Sequence, residues 1–202
     1  MYVIALTGGI GAGKSTAAGV FRAHGAAVFS LDDIAKRLLE RGTPVFGGVV
    51  AEFGENVLGD DGVIDTRALA RAAFSSPVRA ARLNAIVHPA IRREVDAQIR
   101  ELEILSDPPR VVVLEVPLLV ESPAFAELAR RVLAISAPEE ERVRRVLAAG
   151  LDEDDVRARL RCQATDAERE AVADDVIVND GRVGEFRDAL ERYWREVIVN
   201  AP

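Results

Sequence analysis

Residues 7–16 read TGGIGAGKST and follow directly on the apolar run YVIAL. The pattern GxxxxGKS, here Gly8 to Ser15, constrains the fold more than any other stretch. It works only where a buried strand passes into a helix through a loop of inward-facing amides. Gly8, Gly11 and Gly13 supply the freedom that loop needs, because side chains there would block the approach to phosphate oxygens or forbid the required dihedrals. Ala12 completes the turn, Lys14 brings a point charge to the outer phosphates, and Ser15 offers a hydroxyl to Mg2+. Thr16 adds a donor, and the helix beginning here aims its unpaired amides at the anion. The expected ligand is a nucleoside triphosphate with Mg2+.

Lysine is rare in this chain: only Lys14 and Lys36 are lysines, against 24 arginines. A lysine inside the glycine loop therefore stands out from the composition. The dinucleotide pattern GxGxxG is absent, since Gly9, Gly11 and Gly13 are spaced by two.

Apolar runs at YVIAL, AAVFS, RVVVLEV, RVLAIS and DVIVN read as buried strands. Helical patterns at 15–24, 32–41, 139–149 and 183–198 alternate with them, which predicts a parallel sheet covered on both faces. The expected fold is α/β, a five-stranded parallel P-loop kinase-like sheet with a helical substrate-binding insertion and a helical lid. The stretch 42–108 carries no strand signal but repeated helix starts, at Thr43-Pro44, Ser76-Pro77 and His88-Pro89, with another behind Asp65. Residues 1–41 and 109–202 are therefore read as the nucleotide-binding core, 42–108 as the acceptor-binding insertion, and about 139–161 as the lid.

A formal charge of -7 disfavours general attraction to nucleic acid or an anionic membrane, so an anionic ligand must be held locally. No stretch approaches the ~20 apolar residues of a membrane span. The single cysteine, Cys162, reads as a packing residue and fits a reducing compartment, so the expected location is the cytoplasm. The expected assembly is a monomer or weak homo-oligomer.

Neither an NKxD nor a DxxG string occurs, which argues against a GTP-binding switch and for a small-molecule kinase. Ligands gather at the carboxyl ends of parallel strands. The second strand ends VFSLDD, making Asp32 the candidate proton acceptor, with a helix cap as its alternative role. Asp33 reads as part of the helix start. Glu115, ending the third strand, is a candidate Mg2+ ligand through water or, alternatively, a buried carboxylate bonded to backbone amides. Arg142, Arg144, Arg145, Arg157, Arg159 and Arg161 populate the lid, where an arginine can stabilise the transferring phosphoryl group. Others there pair with Glu139 to Glu141 and Asp152 to Asp155.

ALTGGIGAGKST, NAIVHPAI, EVPLLVE, ARLRCQ and ADDVIVNDG, in this order and spacing, resemble the dephospho-CoA kinase family along nearly the whole chain. The resemblance implies transfer of the γ-phosphate of ATP, with Mg2+, to the 3'-hydroxyl of dephospho-CoA. It implies that Gly11 to Thr16 cradle ATP, that Asp32 is the base and that Asn179 lies near the adenine. It also places His88 and Leu118 on the dephospho-CoA side and makes Arg144 the catalytic lid arginine. Three positions depart from the family's pattern: Ser30 replaces the first Asp of an Asp-x-Asp, Ala148 replaces a second lid arginine, and Glu115 stands where Asp is common. The alternatives are a nucleotide-binding protein of this fold without transfer activity, or a kinase for another small alcohol.

Overall fold

The computed structural model describes residues 1–200, and within them every side chain but those of Asp155, Ala158, Arg159, Arg161 and Cys162. The readings made for Arg159, Arg161, Cys162 and Asp155 therefore lie outside the described residues. In chain order the elements begin β1 (Tyr2–Gly8), α1 (Lys14–Ala23), β2 (Ala27–Ser30), α2 (Leu31–Leu38), α3 (Pro44–Phe53), α4 (Thr66–Ala73) and α5 (Pro77–Glu103). They continue β3 (Val111–Glu115), β4 (Arg131–Ser136), α6 (Glu139–Ala148), α7 (Glu153–Cys162), α8 (Asp166–Ala171), β5 (Asp175–Val178) and α9 (Val183–Tyr193).

The chain divides into two compact units, one of Met1–Ser30 with Leu102–Pro202 and one of Leu31–Glu101. The boundary falls at Ser30, so α2 groups with the helical unit, whereas the sequence pattern drew the line after residue 41. Within that unit α2 lies in contact with α3, and it buries Leu31 and Ile34.

The first unit holds one parallel sheet in the order β2-β3-β1-β4-β5. Its three central strands are unbroken apolar runs, as a strand covered on both faces must be. Leu6 is paired with Glu115, Ser30 with the same Glu115, and Gly8 with Ile135, so the carboxyl ends of β1, β2, β3 and β4 reach one edge together. Ile4, Leu6, Phe21, Leu133, Ile135 and Leu190 are fully buried or nearly so and form the heart of the core. Edge strand β5 buries Ile177 and leaves Val176 and Val178 exposed. The expected helix over 183–198 changes its winding: α9 ends at Tyr193 and a π-type turn, Trp194–Ile198, carries the chain on. That turn buries both Trp194 and Ile198 and stacks Trp194 on Phe21, with ring centroids 5.6 Å apart.

In the second unit Thr43 and Asp65 cap α3 and α4 through their side chains, as their residue types predict. His88-Pro89 does not start a helix. Pro89 lies inside the continuous 27-residue α5. Proline there removes one N–H bond to the preceding turn, but Val87, Ala90, Ile91 and Val95 form a buried face that runs across the interruption. Leu58 and Ile64 make an isolated antiparallel bridge around LGDDG. Among the described residues, no helix is long and apolar enough to cross a membrane.

Candidate active site

Strand β1 delivers the glycine loop to the carboxyl edge of the sheet. Gly11 and Gly13 have φ of 75° and 112°, in the left-handed region that only glycine takes readily. They are also sterically committed. A Cβ on Gly11 would lie 2.5 Å from the carbonyl oxygen of Arg142, and one on Gly13 would lie 2.6 Å from Nδ2 of Asn179. Gly13 is the N-cap of α1 and gives it no side-chain cap, and a helix amino end carries a partial positive charge that favours an anion. Lys14 folds back across the loop, its Nζ donating to the carbonyls of Gly8 at 2.8 Å and Gly9 at 3.0 Å. Ser15 and Thr16 follow in the first turn of α1, Ser15 exposed, and Ala12 is buried beneath the loop.

Asn179 lies just beyond β5 and is 7 % exposed. Its Nδ2 donates to the carbonyl of Ala12 at 2.7 Å, and its amide donates to Ser136. Its carbonyl accepts from Nη2 of Arg145 at 3.0 Å. One residue therefore joins the loop through its side chain and the sheet and α6 through its backbone.

The arginines of α6 separate by face. Arg142 is buried, its Nε donating to the carbonyl of Ala137 and its Nη2 3.1 Å from Oδ2 of Asp166. Its guanidinium presses on Gly9, where an added Cβ would be 2.4 Å from Nη1. Arg145, three residues on, also faces inward, and its Nη1 is buried without a partner among the described residues. Arg144 points the other way and pairs with Glu141 on the solvent face, its side chain 69 % exposed. Helical geometry explains this: positions i and i+3 share a face and i+2 does not. The structure therefore places Arg144, the arginine matched by resemblance, apart from the loop. Arg157 likewise pairs with Glu153 at the surface.

A residue that sequence reasoning missed joins Arg142. Arg169, in α8, is 2 % exposed and donates from Nη1 to Asp166 at 3.1 Å. Its Nη1 also stands 3.3 Å from the position of a Cβ on Gly9. The only local signal was the capping box Thr165 to Glu168 that opens α8, and it announces a helix start without showing where the helix returns.

At the same edge Glu115 ends β3 beside Ser30, and Leu118, 39 % exposed, follows in the turn after β3. Chain continuity puts Asp32 two residues beyond the end of β2, in the first turn of α2. His88 sits within α5 of the second unit, where burial lowers its imidazole pKa below the ordinary range. Among the described residues no group of three or more His, Cys, Asp or Glu could hold a metal. A hydroxyl at Ser15 and a carboxylate at Glu115 are nevertheless a suitable protein share for Mg2+, which takes most of its oxygens from phosphates and water.

A family profile described as dephospho-CoA kinase matches residues 2–185. A dephospho-CoA kinase of Thermobifida fusca is 40% identical over 197 residues, covering 98% of this chain and 96% of its own. That of Methylococcus capsulatus is 43% identical over 197 residues, covering 96% and 97%. A crystal structure from Thermus thermophilus superposes with a TM-score of 0.79 at 39% identity, covering 97% of each chain.

Proposed function

The chain belongs to the dephospho-CoA kinase family, and from that premise we propose how its residues transfer the γ-phosphate of ATP to the 3'-hydroxyl of dephospho-CoA. The observation that carries this reading is the loop itself, two left-handed glycines and a folded-back lysine leading into a helix without a side-chain cap. A triphosphate supplies the missing negative partner, accepting from the loop amides while the Lys14 ammonium turns from loop carbonyls to phosphate oxygens.

Asp32 accepts the proton of the acceptor hydroxyl, a role supported by its place directly behind the carboxyl end of β2. Ser15 and Glu115 would hold Mg2+, which supplies neutralisation of the charge spread over the phosphoryl oxygens. Asn179, bonded to Ala12, fixes the floor of the nucleotide site near the adenine. His88, whose pKa burial lowers, serves the acceptor as a hydrogen-bonding group, and Leu118 offers it apolar surface. The inward arginines, Arg142 and Arg145, take the lid role in place of Arg144. The single cysteine supports a reducing, cytoplasmic setting, and the working assembly is a monomer or weak homo-oligomer.

ADP release measured over a panel of acceptors tests the assignment. Turnover is expected with dephospho-CoA and not with nucleoside monophosphates or sugars; the reverse pattern would refute it. In Asp32→Asn, kcat should fall about a hundredfold or more, with ATP affinity little changed. Unchanged turnover in that variant removes Asp32 from the proton-accepting role.

A further inference from the structure

The buried ions beside the loop do not pair one to one. Arg142 and Arg169 are both buried, and between them stands one carboxylate, Asp166, 3.1 Å from Nη2 of the first and 3.1 Å from Nη1 of the second. Glu139 approaches Arg142 only to 4.0 Å and is 69 % exposed, so water screens most of its charge. Nε and Nη2 of Arg169 are buried and have no hydrogen-bond partner among the described residues. A buried cation with two unsatisfied donors is an expensive arrangement in a folded protein. Its position gives the reason, since Arg169 lies against Gly9 inside the phosphate loop.

We infer that Arg169 is an ATP-binding residue whose surplus positive charge, left over after Asp166 is shared with Arg142, is compensated by the bound triphosphate. Arg169 acts from α8, beneath the loop, and so does not depend on movement of the α6–α7 segment. The inference rests on the reading of the loop as the ATP site, and it adds a role that no loop motif supplies. Asp166 holds the guanidinium through Nη1, the nitrogen nearest Gly9, while Nε and Nη2 remain without a partner among the described residues, and a planar guanidinium suits phosphate oxygens.

Arg169→Met tests it through two readouts, melting temperature without nucleotide and ATP affinity by titration calorimetry. Removing a surplus buried charge leaves Asp166 still paired with Arg142, so the nucleotide-free protein should melt at the wild-type temperature or above. The Kd for Mg·ATP should rise on the order of ten- to a hundredfold, while AMP binding changes little. A residue that merely braces the loop gives the opposite result: a lower melting temperature without nucleotide and an undiminished ATP-induced shift. That outcome overturns the inference. If Arg169→Met does not fold, Arg169→Lys decides, because it keeps the charge and loses the fork; its ATP Kd should be raised, and an unchanged Kd overturns the proposal. Inorganic phosphate is run alongside. Stabilisation of the wild type by phosphate that persists in saturating ATP would mean a separate anion site and would also overturn it. ATP titration needs no acceptor, so failure here is distinguishable from failure of the dephospho-CoA assignment.

Discussion

Two ionic clusters lie at opposite ends of the same sheet, and they are built on different principles. At the amino end Arg131 of β4 forks onto Asp175 of β5, and the phenol of Tyr193 donates to the same carboxylate at 2.9 Å. The guanidinium holds the Asp175 carboxyl below the usual range, and burial, reinforced by Asp175, pushes the Tyr193 phenol up. One cation meets one anion, and the remaining acceptor capacity is filled by a neutral hydroxyl. At the carboxyl end two buried guanidiniums share a single carboxylate and two donors have no partner among the described residues. A cluster that closes on itself joins β4, β5 and α9; one left open next to a phosphate loop is prepared for a ligand.

The largest way to break this comparison is Asp166→Asn. It leaves Arg142 and Arg169 buried without their shared carboxylate, and the nucleotide-free protein should lose about 3 kcal/mol in chemical denaturation, the scale for breaking a buried pair. Mg·ATP should restore more stability to this variant than it adds to the wild type, because the ligand's charge replaces the missing one. Equal restoration in both would show that the open cluster does not sense the triphosphate.

Asp175→Asn sharpens the contrast from the closed side. At pH 7 the expected loss is about 1 kcal/mol, discounted because Arg131 is partly exposed. The folded-state pKa of Asp175 is depressed, so its contribution is complete above the unfolded value of about 3.9 and disappears as pH falls through the lower folded value. Stability curves of variant and wild type should therefore converge in acid. ATP should raise both melting temperatures equally, since no part of this cluster touches the loop.

The same contrast explains what could be read from the sequence. Strand runs, their parallel alternation with helices and the caps at Thr43 and Asp65 are local signals, and the structure has them where the periodicity put them. The loop was legible because its chemistry is contiguous from Gly8 to Thr16. Pro89 misled because a proline signal is local, whereas the buried face that carries α5 through it spans several turns. Arg169 was invisible for a related reason: its importance comes from contact with Gly9, 160 positions earlier in the chain. Arg144 and Arg145 are adjacent and of one type, so only the helix phase, fixed by packing, distinguishes them.

That phase gives the smallest expected effect and the finest test of the comparison. Arg144→Ala removes a guanidinium whose partner, Glu141, is on the same exposed helix face. Arg144 holds the Glu141 carboxyl below its ordinary range, but water surrounds both groups and can replace either one. ATP Kd and kcat should remain within about twofold of wild type, the range typical of surface changes. Arg145→Ala in parallel should weaken ATP binding, because it removes the donor to the Asn179 carbonyl and with it the tie between α6 and the residue bonded to Ala12. If Arg144→Ala instead lowered kcat strongly with ATP affinity intact, α6 would have to rotate or close during the reaction. The face seen here would then belong to the open state only, and the division between inward and outward arginines would describe that state and not the catalytic one.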